Sequence, residues 1–410
     1  MARRVAKSYI FHTSILDLTG GSKSVLLIAG GLVELGCKVN ILLEKNLVRY
    51  PIPKGVGLYL ITLTGVRHLP VIHGSFGDDT MVAGGLLERW KARAKLAILS
   101  FLPLRWTLIW VRYLFYLILF PARNIAVRRF LAEHQPDVVV SSNMYFCLEH
   151  LDPYRRRSRL YMSVRNSPQN VYRERITPRM RSVASYYDGV TCIGVSEAAT
   201  REMAEFVDLT RTRLLTIYNP FDFDDIRRLA SQEVEEPYRS GDFVVVVGSL
   251  VDRKRVDLAL RCVADPRFAG LRVLVLGVGP ERGWLEALAG ELGLGERAVF
   301  LGARSNPYPY MARARALLLT SSSEGLPRVV IESLICGTPV VSTDCPTGPA
   351  EIMVGELAKF LVPIHGHNDD FIIHGLRSAL ENLLKSPPKI DDESLTRFSD
   401  ECVIREWLKL

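Results

Sequence analysis

Glu324 and Glu332 stand eight positions apart inside a dense stretch, Ser321 to Met353, where loop residues alternate with short apolar runs. Ala316 to Thr320 reads as a buried strand, so Glu324 falls in the loop just beyond its C-terminal end. Pro327 suits the first turn of a following helix and Gly337 its C-terminal cap, which puts Glu332 on that helix. The first turn of such a helix offers unpaired N–H groups and a partial positive charge, an arrangement that suits a pyrophosphate. Carboxylates beside it would accept hydrogen bonds from hydroxyl groups. Val330, Ile331, Leu334 and Ile335 make the helix largely buried, so an ionised Glu332 needs a partner.

Other turns carry compatible chemistry. Gly248-Ser-Leu-Val-Asp-Arg-Lys follows a β-branched run and delivers the cations Arg253 and Lys254, with Arg255 next to them. Gly277-Val-Gly-Pro and Gly302 to Ser305 each follow a strand, and Gly20-Gly21 follows the first one. Ser163-Val-Arg-Asn-Ser-Pro presents Arg165 and Asn166 after another. Alone, each is a weak signal: two glycines in a β-α turn satisfy the backbone, and three cations in a row make a solvated turn. The seven cysteines are scattered with no C-x-x-C pair, and Cys336 and Cys345, though near the glutamates, read as small buried hydrophobes. The eight histidines show no metal-ligand spacing, so no metal is expected.

The elements that must position these residues alternate between strand and helix. Strand signals at Tyr9 to Phe11, Lys38 to Leu43, Leu58 to Leu63, Asp137 to Ser141, Leu160 to Val164 and Gly189 to Val195 make a first α/β series. Asn219-Pro220 ends it, and the polar run Ser231 to Asp242 reads as a linker. A second series has strands at Phe243 to Val247, Arg272 to Leu276, Ala298 to Leu301, Ala316 to Thr320 and Pro339 to Ser342. The 410 residues thus divide into two doubly wound α/β domains, whose ligands should lie at the C-terminal ends of the strands.

At this point a resemblance becomes specific. Glu324 and Glu332 look like the E-x7-E motif of the family 4 retaining glycosyltransferases. Glu-Gly-Leu-Pro at 324–327, Cys-Gly-Thr-Pro-Val-Val-Ser-Thr-Asp at 336–344 and Gly-Pro-Ala-Glu-Ile at 348–352 match that family in order and spacing. The resemblance implies a GT-B fold, two Rossmann-like domains facing a cleft. The expected organisation is an acceptor-binding domain over 1–220, a linker over 221–242, a nucleotide-sugar domain over 243–388 and a C-terminal helix over 389–410 that crosses back to the first domain. It also implies sugar transfer from a nucleotide diphosphate, a UDP-sugar first among the candidates, with retention and with neither metal nor cofactor. Glu324 and Lys254 would be catalytic. Donor-binding residues would be Gly20, Gly21, Ser249, Arg253, Gly277, Gly279, Arg304, Gly325, Leu326, Pro327 and Glu332, with Glu324 on the sugar and Glu332 on the ribose. Arg165 and Asn166 are the acceptor candidates. Ser249 departs from the family, which has an arginine there, and so leaves Lys254, with Arg253, as the diphosphate cation.

The acceptor is read from the charge. The net charge of +8 is the sum of +14 before Phe221 (30 Lys and Arg against 16 Asp and Glu) and −6 after it. A basic first half suits an anionic partner. Leu96 to Phe120 is nearly all apolar and aromatic, but Pro103, Arg105 and Arg112 interrupt it and disfavour spanning a membrane. Within its basic flanks, the segment near 89–129 reads as a membrane-docking element, a core helix being the other reading. The expectation is a cytoplasmic protein, peripheral on the inner membrane face. Its acceptor would be a lipid-linked saccharide used in polysaccharide, lipopolysaccharide or glycan assembly, and nucleic acid is not expected as a partner. A nucleotide-sugar epimerase of the same fold and a catalytically weak membrane-associated scaffold remain as alternatives.

Overall fold

The computed structural model describes residues 7–17, 19–62, 65–70, 125–142, 159–169, 189–236 and 238–410. The chain forms two compact units, Met1–Met162 and Ser163–Leu410.

In the first unit, β1 (Ser8–Thr13) lies between β2 (Lys38–Leu43) and β5 (Val138–Ser141), parallel to both. The strand order is β4-β3-β2-β1-β5-β6, with β3 at Gly57–Ile61, β4 at Val66–His68 and β6 at Arg159–Val164. The unit boundary falls within β6. Continuous apolar runs such as Val-Val-Val at 138–140 suit strands covered on both faces. Among the described strands of this unit, only β4 runs antiparallel, at the edge. The helix Gly20–Glu34 follows β1 directly. His12, buried at the end of β1, is held by the Ser141 hydroxyl at 3.0 Å and the Glu44 carboxylate at 3.5 Å.

The second unit opens with β7 (Thr191–Gly194) and β8 (Leu214–Thr216), a parallel pair. A six-stranded sheet follows, ordered β11-β10-β9-β12-β13-β14, and all of its pairs are parallel. Its strands are β9 (Phe243–Val247), β10 (Arg272–Leu276), β11 (Ala298–Gly302), β12 (Ala316–Leu319), β13 (Val340–Asp344) and β14 (Leu361–Pro363). The chain enters this sheet at β9, builds outward through β10 and β11, then returns to the other side of β9 as β12. The strand order therefore reverses between β9 and β12, the place where open α/β sheets leave a crevice for ligand.

Three differences from the sequence expectation have local causes. β4, β8 and β14 have three residues each, too short to show a periodicity, and they sit at sheet edges. The stretch Ser231–Asp242 is anchored rather than bare: Val234 is buried in the core and Glu235 bonds Tyr310. The predicted C-terminal helix over 389–410 is two helices, Asp392–Leu395 and Asp400–Leu408, because the Ser399 side chain accepts from the Cys402 N–H and restarts the helix. Among the described residues, no helix is long and apolar enough to cross a membrane. Residues 89–124 of the docking segment lie outside the described residues; 125–134 are helical, with Val127 and Phe130 buried.

Candidate active site

The reversal between β9 and β12 makes neighbours of two loops that are seventy residues apart in the chain. After β9, the loop from Gly248 ends in a 3-10 turn, Asp252–Lys254. After β12, Thr320 to Pro327 leads to the helix Arg328–Ile335. Backbone and side chains stitch the two together: the Ser322 N–H donates to the Arg253 carbonyl at 2.8 Å, and the Thr320 hydroxyl to the Lys254 carbonyl at 3.1 Å.

Glu324 lies at the centre, its side chain only 7% exposed. The Lys254 ammonium reaches its Oε1 at 2.5 Å, and the Ser321 hydroxyl donates to the same oxygen at 2.7 Å. The Arg253 guanidinium stands 3.6 Å from Oε2 and is itself held by the Ser323 carbonyl at 3.0 Å. Burial pushes the Glu324 carboxyl up; the Lys254 and Arg253 charges, with the hydrogen bonds from Lys254 and Ser321, outweigh it and leave the group below its ordinary value. The centre is thus two cations on one buried carboxylate, a net positive charge at the crevice. Gly248 has φ 153°, a conformation that favours glycine, and a Cβ there would lie in ordinary contact with Lys254 Cε at 3.7 Å.

The backbone of the Glu324 loop is pinned from three sides. The Thr347 hydroxyl donates to the Glu324 carbonyl, and the Ser196 hydroxyl to the Gly325 carbonyl at 2.8 Å. Arg165 and Asn166 press on Gly325 so closely that a Cβ there would lie 2.2 Å from the Arg165 carbonyl oxygen. Gly348, at φ 93°, backs Leu326 and Pro327. The structure therefore brings Arg165 and Asn166 to the Glu324 loop. The Arg165 guanidinium is brought down to about 10 by burial and by the charge of Arg328.

Glu332 is buried and has the partner its setting requires: Arg328, one turn earlier, at 3.3 Å, with the Tyr308 hydroxyl also at 3.3 Å, both on Oε1. Arg328 lies over the Phe221 ring at 4.1 Å and donates to the Pro220 carbonyl at 3.1 Å. Leu326 is buried beside Pro327, which precedes the helix as its cap residue. Gly277 and Gly279 are required by packing: a Cβ at either would fall 1.8 Å from the Gly248 carbonyl oxygen or 2.0 Å from that of Leu250. Their turn is hydrogen-bonded to the Ser249 loop, Leu250 N–H to the Val278 carbonyl at 2.9 Å. Arg304 pairs with Glu235 at 3.1 Å and lies over Tyr310, so in this structure it braces the loop after β11. Gly20 and Gly21 belong to the first unit, where they start the helix after β1 and Gly20 accepts from Ser24.

The third cation of the β9 turn, Arg255, takes a left-handed backbone conformation and forms a fork with Asp257 at 3.0 Å and a bond to Asp369 at 2.6 Å. It is spent on structure. Cys345 is buried next to Glu324, and burial with that carboxylate pushes its thiol far up, which rules against a nucleophile. Among the described residues, no group of His, Cys, Asp and Glu could hold a metal ion. Sequence reasoning missed Ser321, Ser196, Arg328 and Thr347. Ser321 and Arg328 left signals, a hydroxyl three residues before Glu324 and an Arg-Glu pair at helical spacing; Ser196 and Thr347 left none.

Residues 228–394 match the family model described as glycosyl transferases group 1. Two bacterial relatives are similar over part of their length. One is the N-acetylgalactosamine-N,N'-diacetylbacillosaminyl-diphospho-undecaprenol 4-alpha-N-acetylgalactosaminyltransferase of Campylobacter jejuni, 30% identical over 46% of this chain and 50% of that protein. The other is the lipopolysaccharide 1,6-galactosyltransferase of Escherichia coli, 28% identical over 56% of this chain and 62% of that one. The crystal structure of HepE from Anabaena, in complex with UDP and glucose, superposes with a TM-score of 0.67 over 98% of each chain at 16% identity, which establishes the shared GT-B architecture of two Rossmann-like units. The two carboxylates on the loop and helix after β12 thus lie inside the stretch, residues 228–394, over which this chain is similar to the group 1 glycosyl transferases.

Proposed function

We propose that this protein transfers a hexosyl group from a UDP-sugar, with retention, to a lipid-linked saccharide acceptor in the assembly of a cell-surface glycan. The observation that carries the reading is the convergence of Lys254 and Arg253 on buried Glu324, beside the start of the helix Arg328–Ile335. Cleavage of the glycosyl bond leaves negative charge on the diphosphate and an oxocarbenium-like sugar, so fixed cations and helix N–H groups at the phosphates lower the barrier. Lys254, with Arg253, takes the diphosphate; Glu324 takes sugar hydroxyls near C3 and C4; Glu332 takes the ribose hydroxyls through the oxygen not committed to Arg328 and Tyr308. The absence of a competent nucleophile near Glu324 among the described residues agrees with attack by the acceptor on the departing face.

UDP is favoured by the Anabaena structure with UDP and glucose, and the lipid-linked acceptor by the undecaprenol-linked and lipopolysaccharide substrates in the relatives' names. Arg165 and Asn166, packed on Gly325, are the acceptor-side candidates. The basic residues before Phe221 and the aromatic-basic segment near 89–129 fit an acceptor presented at an anionic membrane surface. We further assign the acceptor domain to 1–220 and the donor domain to 243–388.

The test is a panel of UDP- and GDP-sugars incubated with and without a bacterial lipid extract. Nucleotide release that depends on the extract supports transfer. Sugar interconversion without it would replace the reading by epimerisation, and inertness with every donor would leave a scaffold.

A further inference from the structure

The two oxygens of Glu324 are treated differently by the protein. Oε1 is committed twice, to the Lys254 ammonium at 2.5 Å and the Ser321 hydroxyl at 2.7 Å. Oε2 has no hydrogen bond from the described residues, only the Arg253 guanidinium at 3.6 Å, whose own Nη1 is engaged with the Ser323 carbonyl. A carboxylate can rotate about its terminal bond at little cost, because that torsion is broad and two-fold. Lys254 alone is a point charge on a flexible stem and would follow such a rotation. Ser321 cannot: it is 1% exposed, and its own carbonyl accepts the Thr343 hydroxyl at 2.6 Å from the neighbouring strand β13.

We infer that Ser321 is a positioning residue that fixes the plane of the Glu324 carboxylate, so that Oε2 alone is presented to the donor and sets the recognition of one sugar hydroxyl. Resting on the UDP-sugar reading, this assignment divides the carboxylate into a held oxygen and a reading oxygen. A site built to accept a hydroxyl rejects a ligand that lacks it far better than an apolar pocket rejects an extra group. A carboxylate free to swing offers either oxygen and loses that discrimination.

The test uses the full chain as Ser321→Ala and Ser321→Cys, with UDP, UDP-glucose, UDP-galactose and the corresponding 4-deoxy donors as probes. For Ser321→Ala we expect UDP affinity within about two-fold of wild type, since the nucleotide does not depend on this oxygen. We expect kcat/KM for the preferred hexose to fall about ten-fold, the scale of one hydrogen bond to a charged group. Preference over the deoxy donor should narrow by a similar factor. The acid limb of kcat/KM should move to higher pH, because a bond that favours the ionised form is gone. Ser321→Cys, nearly isosteric and a weak donor, should fall between the two. Unchanged kcat/KM and acid limb in Ser321→Ala would overturn the assignment, as would a parallel loss of UDP affinity, which a merely structural defect would produce. A wild type that neither binds UDP-glucose or UDP-galactose more tightly than UDP nor turns either over would sink the UDP-sugar reading itself, and the assignment with it.

Discussion

At the scale of single residues, the site turns on an ion pair that is costly to break. Lys254 and Glu324 are both largely buried, so removing either leaves the other desolvated and less compensated. Glu324→Gln should abolish transfer and destabilise the fold at neutral pH by about 3 kcal/mol, measurable by urea unfolding. The pH dependence has a fixed sign. The folded Glu324 carboxyl sits below its ordinary value of 4.5, so its contribution is complete above that pH and is lost as the pH falls below 4.5 through the folded value. The wild type should therefore lose stability across this acid range more steeply than Glu324→Gln; parallel curves would contradict the shift. These residue types were legible in sequence, as was the need of Glu332 for a partner. The identity of that partner was not singled out, although Arg328 lies one turn away on the same helix.

At the scale of elements, the glycines of the β10 turn show how the architecture dictates sequence. A methyl group at Gly277 would meet the Gly248 carbonyl oxygen at 1.8 Å, backbone that has nowhere to go. Gly277→Ala should lower stability by about 3 kcal/mol or more and weaken UDP binding, since it displaces the loop that carries Lys254. Gly283, in the helix Arg282–Glu291 of the same crossover, has open space around it, and Gly283→Ala should raise stability by about 0.5 kcal/mol. Thermal unfolding of both variants checks the contrast. Glu351 serves another element: its carboxylate accepts the Glu197 and Ala198 N–H groups at 2.8 and 2.7 Å, at the start of the helix Glu197–Ala204. Glu351→Ala should cost about 1–2 kcal/mol by leaving these donors without their carboxylate. The longer strands were readable from their β-branched runs. β4, β8 and β14 were not, because three residues at an edge borrow their conformation from the neighbour they pair with.

At the scale of the whole molecule, binding and location are the open measurements. UDP at a hundred times its Kd should stabilise the protein by about 2.7 kcal/mol, seen as a rise in Tm that grows with the logarithm of concentration. Flotation with vesicles rich in anionic lipid should recover the full chain, and replacement of Arg105, Trp110 and Arg112 by alanine should reduce recovery several-fold. No binding by the wild type would remove the membrane from the proposed function. By itself the sequence determined the alternation of strands and helices, the two α/β series, the asymmetric charge and the types of group at the site, because periodicity, composition and spacing are properties of local chain. Tertiary structure alone decided which cation meets which carboxylate oxygen, why Gly277 and Gly279 must be glycine, and that Arg165 and Asn166 rest against Gly325. Those facts depend on which strands lie side by side: β12 beside β9 joins Glu324 to Lys254, and β10 beside β9 sets Gly277 against Gly248, while positions seventy residues apart carry no mark of their adjacency until the sheet is formed.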